Sequence, residues 1–470
     1  MNGGLIKSAS RFALVAAAGI LAGGVAAQAA DLGGNCCADL EERVAELEAT
    51  SARKGNRKVR LTVSGQVNES VLYWDDGRER NAYVTSNNFG RTRFRFVGDA
   101  KINADWSAGY LLEIGVRYAN SGNRSQVSAS GSAITSSNGN NSFDIRHSAW
   151  WLDSKTYGRL WVGNTSTATD GITEISLANV IAGGNDGSNY LGGFRLRNAT
   201  GALTNVTHSS IRSGNFNAGE GDRNNVIKYV SPTWAGFTFT GAWGDEEQWD
   251  VAIRYAGEFS GFRFAAGVGY QENRSQNTAG AAACANVGGN GNPATTESSV
   301  DCNDLGLSAS VFHVPTGLFL TGSYGRAQDN NRSNFAVSNP AGGKFRSEDS
   351  HWFVQGGIER NWFGIGKSTV FAQYVAASTG AAIGGGARSS AAAGGGFAAL
   401  GAGGFVSDAG IREFGVGFNQ EVSAAALDLY VTYFHVDADV TTSATGGQNG
   451  KVRATGNTFD AVVLGAIIRF

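Results

Sequence analysis

From Val59 onward, apolar and polar positions alternate with a period of two. Val59, Leu61, Val63, Val67, Val71 and Tyr73 share one parity, while Arg60, Thr62, Ser64, Gln66, Asn68 and Ser70 hold the other. Such a segment is a β-strand with one apolar and one polar face. The pattern returns down the chain. Phe94, Phe96, Ala100 and Ile102 alternate with Arg93, Arg95, Asp99 and Lys101, and Tyr110, Leu112, Ile114, Val116 and Tyr118 with Glu113 and Arg117. Trp249 to Tyr255, Phe262 to Tyr270 and Leu427 to Tyr433 repeat it. About sixteen such segments can be traced, mostly near ten residues long, the length a tilted strand needs to cross a bilayer.

Connection lengths carry further information. They are short near 103–105, 153–156, 231–236, 257–261, 314–316, 361–365 and 421–425. They are long near 75–90, 120–142, 164–225, 271–303, 328–348, 378–409 and 438–457. Only the connection near Asp245–Gln248 departs from strict alternation. Tight turns on one rim and long loops on the other predict an all-β, transmembrane, antiparallel up-and-down barrel over residues 58–470. A sandwich of this size would need two domains and a linker, and a solenoid would show a fixed repeat; neither is visible. Aromatics gather near strand ends (Tyr73, Trp74, Trp106, Tyr118, Trp150, Trp151, Trp352, Tyr433), as at a membrane interface.

Asn164–Asn225 resists the pattern. Roughly sixty residues without a convincing strand exceed an ordinary loop. Ile172, Ile175, Leu177, Val180 and Ile181, then Tyr190, Leu191, Phe194 and Leu196, make it too apolar for a solvated one. It is expected to pack inside something hollow. Before the strands, Asp39–Lys54 reads as a helix with Leu40, Val44 and Leu47 at heptad spacing. It is either an oligomerisation stub or a solvated linker, within a periplasmic segment 30–57. Residues 1–29 read as a signal peptide: Lys7 and Arg11, an apolar run Phe12–Ala27, and a small-x-small site at Ala27-Gln28-Ala29.

Composition agrees and narrows the function classes. Among 470 residues, 68 are Gly, 4 are Pro and 17% are charged, with a net charge of −2, so no basic nucleic-acid-binding domain stands out. Export makes a disulfide between Cys284 and Cys302 possible, while Cys36 and Cys37 form an adjacent pair. No His lies at metal-ligand spacing from them, so neither a metal centre nor a cofactor is expected. The five His (147, 208, 313, 351, 435) sit in no nucleophile motif, which argues against an enzyme.

The closing strand, Phe459–Phe470, presents Val462, Leu464, Ala466, Ile468 and Phe470 on one face and ends on the aromatic. It resembles bacterial outer-membrane barrels, in which a terminal Phe serves as the signal to the barrel-assembly machinery. Asn225-Val226-Ile227-Lys228-Tyr229-Val230-Ser231-Pro232-Thr233-Trp234-Ala235-Gly236-Phe237 resembles the strand–turn–strand of general diffusion porins, with Ser-Pro read as the tight turn. Cys36-Cys37-Ala38-Asp39-Leu40-Glu41-Glu42-Arg43-Val44-Ala45-Glu46-Leu47-Glu48 resembles the N-terminus of α-proteobacterial porins.

The resemblance implies a homotrimer in outer-membrane lipid, passing ions and small hydrophilic solutes. It also implies a third loop folded inward, with acidic residues opposite basic ones on the wall. Asn164–Asn225 is the third long loop, and Asp170 and Glu174 are its first carboxylates. Inward parity on the facing strands offers Arg91, Arg93, Arg95, Lys101, Arg117, Arg146 and Arg159, some of which should pair with Asp99, Glu113 or Asp144. Lumen-facing charge avoids the few kcal/mol, roughly 2–4 at mid-membrane, that lipid-facing Arg or Lys costs. A substrate-specific sugar or anion channel would want a continuous aromatic or basic track, and inward Trp74, Trp150, Trp161 and Tyr430 are scattered. A surface adhesin or structural barrel with a plugged lumen is a third reading.

Overall fold

The computed structural model describes residues 58–116, 118–127, 143–184, 191–197, 201–211, 218–244, 248–274, 301–330, 348–379, 404–444, 452–455 and 458–470. The signal and helix expectations, with Cys36 and Cys37, fall outside them. Sixteen antiparallel strands form a closed barrel. They are β1 (Arg60–Asp75), a split β2 (Arg80–Ser86 and Arg93–Lys101), β3 (Trp106–Val116), β4 (Phe143–Ser154) and β5 (Gly158–Ser166). Next come β6 (Arg223–Val230), β7 (Phe237–Gly244), β8 (Gln248–Phe259), β9 (Phe262–Asn273), β10 (Cys302–His313) and β11 (Leu318–Asp329). The circuit ends with β12 (Glu348–Arg360), β13 (Ser368–Thr379), β14 (Gly404–Val422), β15 (Leu427–Ala444) and β16 (Phe459–Arg469). Each pairs with the next, and β1 pairs with β16 in the register Val71↔Leu464, so no edge remains. Closure matters because unpaired backbone groups have no partner in hydrocarbon.

The outer wall follows the period-two reading. Val63, Val67, Val71, Leu320, Val354, Leu429 and Leu464 are exposed outward. Exposed aromatics flank the band: Tyr157, Trp234, Phe259 and Phe363 at the short-turn rim, Tyr73, Trp243, Trp249 and Trp352 at the other. The short turns follow local chemistry. Ser260-Gly261 and Ala235-Gly236 both have positive φ at two successive residues, which suits the twist of a tight hairpin. This corrects the reading of Ser231-Pro232 as the reversal. The chain turns at Ala235-Gly236, where Trp234 and Phe237 exchange backbone hydrogen bonds of 2.9 and 2.8 Å, while the Ser231 hydroxyl accepts from Phe239 N.

The inner wall is not uniformly polar. Near the long-loop rim, Leu72 and Trp74 of β1, Phe434 and Val436 of β15, and Phe459, Ala461 and Val463 of β16 point inward and are buried. What covers them is the long connection between β5 and β6, residues 167–222, hereafter the third loop. Its second half forms a hairpin, Arg195–Arg197 with Leu203–Thr207, followed by a helical turn at His208–Ile211. Leu191, Phe194 and Ile211 are almost wholly buried against that sector, with Phe194 centred 4.7 Å from the Phe459 ring and 5.3 Å from Trp74. Burying each such side chain contributes about 1.5–3 kcal/mol, so the loop holds its place as a small folded unit.

Candidate functional site

Two departures from regular strand geometry build the basic part of the inner wall. The first is a bulge: Glu113 opposes His147 and Ile114 opposes Ile145, which leaves Arg146 without a partner across the ladder. Arg146 and His147, adjacent in sequence, therefore both point inward and are buried. The extra residue reverses parity for the rest of β4. Trp151 lies inside at 7% exposure, and Trp150, read as inward from parity, faces out at 51%. The second is the break in β2, where 87–92 leave the ladder and Gln66 Nε2 takes the carbonyls of Gly90 and Arg91.

Glu113 is the hub of the resulting cluster, with its side chain at 0% exposure. Arg95 donates to its Oε2 through Nε (2.7 Å) and Nη2, Arg146 Nε donates to Oε1 at 2.7 Å, and Arg93 Nη1 lies 3.5 Å from Oε1. Arg91 Nη2 reaches Asp144 Oδ2 at 3.3 Å. Four guanidiniums meet two carboxylates, a surplus of two positive charges, held by charge-assisted bonds on rigid strands. Arg223 of β6, which the parity reading did not include, lies in electrostatic reach of Arg93 and Arg146 and extends the cluster.

Not every candidate joins it. Cross-strand register puts Arg95, Glu113, His147 and Thr165 in one row, and Lys101, Ser107, Asp153 and Arg159 in another. The rows lie six residues apart, about 20 Å along a strand. Arg159 is thus not part of the Glu113 cluster, because each inward step along a strand carries the next side chain roughly 7 Å further down. Arg117 and Cys284 fall outside the described residues. Cys302 is disulfide-bonded and buried beside Ala218 and Ala327.

The third loop crosses the lumen and is pinned to wall after wall. Thr169 donates through N and Oγ1 to Asp250 Oδ2 of β8 at 2.7 and 2.8 Å. Leu177 N donates to Ser310 Oγ of β10, Asn179 N to Glu359 Oε2 of β12, and Gly184 N to Gln373 Oε1 of β13. Its two limbs are tied together as Thr167 N meets Asp222 O and the Thr173 amide and hydroxyl meet Glu220 Oε1. Burial drives the Glu220 carboxyl well above the usual carboxylate range, and nearby Glu174 and Asp170 push it further.

The two predicted loop carboxylates part company. No helix holds them; Asp170 and Glu174 lie in successive tight turns closed by Ile172 N to Thr169 O and Glu174 N to Gly171 O. The Asp170 carbonyl accepts from Arg254 Nη2 at 3.1 Å, and its carboxylate faces Lys228 and Arg254. Glu174 instead lines a cavity of about 20 Å³ with Phe89, Thr321, Phe353 and Gln355, room for one water. Lys228 and Arg254 could have been found from parity, since Ile227 and Tyr229, and Ile253 and Tyr255, flank them on the outward face.

A family model described as Gram-negative porin matches residues 13–466. The chain belongs to the Gram-negative porin family. Its closed sixteen-stranded barrel is a porin fold. The anion-selective porin from Comamonas acidovorans shares 14% identity, with 88% of this chain and 100% of that one covered at a TM-score of 0.51. OmpT, an outer membrane protein of Vibrio cholerae, shares 12% over 89% of this chain and 100% of its own, at 0.48. The outer membrane channel DcaP of Acinetobacter baumannii shares 13% over 89% and 99%, at 0.49. No curated protein matches by sequence. This porin is an outer-membrane channel for passive diffusion. Its short turns mark the periplasmic rim and its long loops the outer face.

Proposed function

We propose that this porin passes ions and small hydrophilic solutes along the basic side of its lumen, beside β2–β6, and prefers anions. The carrying observation is where water still reaches the described inner wall. Arg95 and Arg159 keep 42% and 38% side-chain exposure. Across the lumen, Asp349, Gln355, Gln373, Asn419 and Thr432 are almost wholly buried, on strands the third loop crosses. Water left beside a wall with surplus positive charge concentrates anions through its electrostatic potential. The loop is the restricting element, with Asp170 against Lys228 and Arg254, and the Arg91–Arg146 cluster forms the other wall of the neck. The same reading places three copies in the membrane, as a trimer of the α-proteobacterial type, takes Phe470 as the signal to the barrel-assembly machinery, and assigns the barrel no catalytic role.

The test is the reversal potential of purified protein in planar bilayers across a KCl gradient. A sign reporting chloride preference is expected. A cation-preferring sign would overturn the proposed path.

A further inference from the structure

The row containing Arg159 lies near the periplasmic mouth, one residue pair from the turn Lys155–Tyr157. Rows of different chemistry separate it from the neck. Above it come Trp151 and Trp161 paired across β4 and β5, in register with Asp99 of β2 and Lys228 of β6, and above those Val97, Leu111, Ala149 and Gly163, a row that carries no charge. This second charged station is therefore distinct from the Glu113 cluster.

Arg159 is unusually fixed for a residue at a pore mouth. Its guanidinium carbon lies 4.5 Å from the Trp151 ring centroid and 5.6 Å from that of Trp161. The Trp151 indole is itself seated against Gly109 of β3, where a Cβ would come within 2.2 Å of the ring. Nε donates to Asp153 Oδ1 at 2.8 Å. The two indoles, centred 6.3 Å apart, lie on one side of the guanidinium and Asp153 takes Nε, and among the described residues neither Nη has a hydrogen-bond acceptor, although the side chain is 38% exposed. Two parallel N–H groups on one guanidinium edge match a carboxylate in a two-point bond. The rings and Asp153 have already removed most of the rotamer freedom that binding would otherwise cost. The Lys228 ammonium, 5.8 Å from the Trp161 ring, and exposed Lys101 in the same row add positive charge without competing for the fork.

We infer that Arg159, clamped by Trp151, Trp161 and Asp153, is a docking site for small carboxylates at the periplasmic mouth. Asp153 cancels much of its net charge, so geometry supplies the recognition and binding is weak, as conduction requires. The site rests on the channel reading of the lumen and names a substrate class for it.

The experiment is single-channel recording in KCl with citrate added to one side and then the other. Brief interruptions of current are expected with citrate on the periplasmic side at lower concentration than from the outer side. In Arg159→Gln the half-blocking concentration should rise about tenfold, the loss of one charge-assisted two-point contact. Arg159→Lys keeps the charge but not the fork and should fall between. Arg95→Gln should leave periplasmic-side block unchanged. Each variant is accepted only if its heat-dependent gel shift matches the parent, and its block is read as a fraction of its own open-channel current. Should Arg159→Gln fail to assemble, Trp161→Ala, which removes the second of the two indoles packed against the guanidinium, should weaken block several-fold. A parent channel that conducts but shows no citrate interruptions overturns the site and leaves the channel standing. Block unchanged in Arg159→Gln but lost in Arg95→Gln overturns it too, moving the carboxylate to the neck. Absence of any conductance overturns both.

Discussion

Glu113 shows how much one residue can organise. A single buried carboxylate on β3 holds Arg93 and Arg95 of β2 and Arg146 of β4, the two strands that flank its own. Removing one partner of a buried ion network costs about 3–5 kcal/mol, because the remaining charges stay where they are. Glu113→Gln should therefore lower the barrel's unfolding temperature in detergent, followed by loss of its β-sheet circular dichroism. It should also raise the local surplus from two positive charges to three and increase the reversal potential toward chloride. An unchanged reversal potential would place the cluster away from the ion path. Gly65 is a second position of this kind. Phe470 exchanges two backbone hydrogen bonds with it, 2.9 and 3.1 Å, and a Cβ there would meet the Phe470 ring at 2.5 Å. The terminal aromatic is seated on the first strand because that residue lacks a side chain.

Among the elements, the third loop departs most from what periodicity can describe, and its stability has two opposite pH components. At its far end Arg197 donates to Asp76 Oδ2 at 2.8 Å and to Glu79 Oε2 at 3.0 Å, while Gln126 joins Asp76 to the Arg195 carbonyl. Three loops thus meet at one carboxylate. Burial alone would raise Asp76, but the Glu79 amide, Arg197 and Gln126 outweigh it and hold it below the usual range. A depressed folded-state value adds stability above the unfolded value near 3.8, lost as pH falls through the folded one. Glu220 works the other way: its raised value favours the folded loop at low pH, and this contribution fades as pH rises from about 4.5. The outer latch should therefore open under acid while the limb tie at Thr173–Glu220 persists. Hydrogen exchange normalised to intrinsic rates should show lower protection around Arg195–Arg197 at pH 3 than at pH 7, with no comparable loss at Thr173. Protection lost at Thr173 alone would contradict the assignment.

For the molecule as a whole, the loop decides how much of the sixteen-stranded lumen remains open. A barrel of this strand number leaves an interior that wall side chains cannot fill. Here the loop, fixed from β8 to β14 by polar contacts and against β15, β16 and β1 by apolar ones, occupies much of it. Deleting Thr169–Val180 removes the limb that carries Asp170, Glu174 and the contacts to Asp250, Ser310 and Glu359. Single-channel conductance should rise severalfold and chloride preference should weaken, since a wider neck screens the wall charges more fully. Conductance equal to the parent's would show that this limb does not bound the path.

The barrel was legible from residue order because a strand in a membrane must alternate. Lipid and water impose opposite demands on successive residues, and turn length records which rim each connection occupies. Strand number, outward apolar faces, and Arg93, Arg95 and Arg146 on the inner wall all follow from that local rule. What escaped it has a common cause. One inserted residue at Arg146 reverses every later face on β4, so Trp150 and Trp151 exchange sides, and no local pattern marks the bulge. Leu72, Trp74, Phe434 and Phe459 break polar parity because the third loop packs on them from far along the chain. Asp170 meets Lys228 and Arg254 rather than the arginines of β2, since the route of a loop is set by contacts that no period encodes. Periodicity determined the wall; long-range packing alone determined what fills it and which charges face the water that remains.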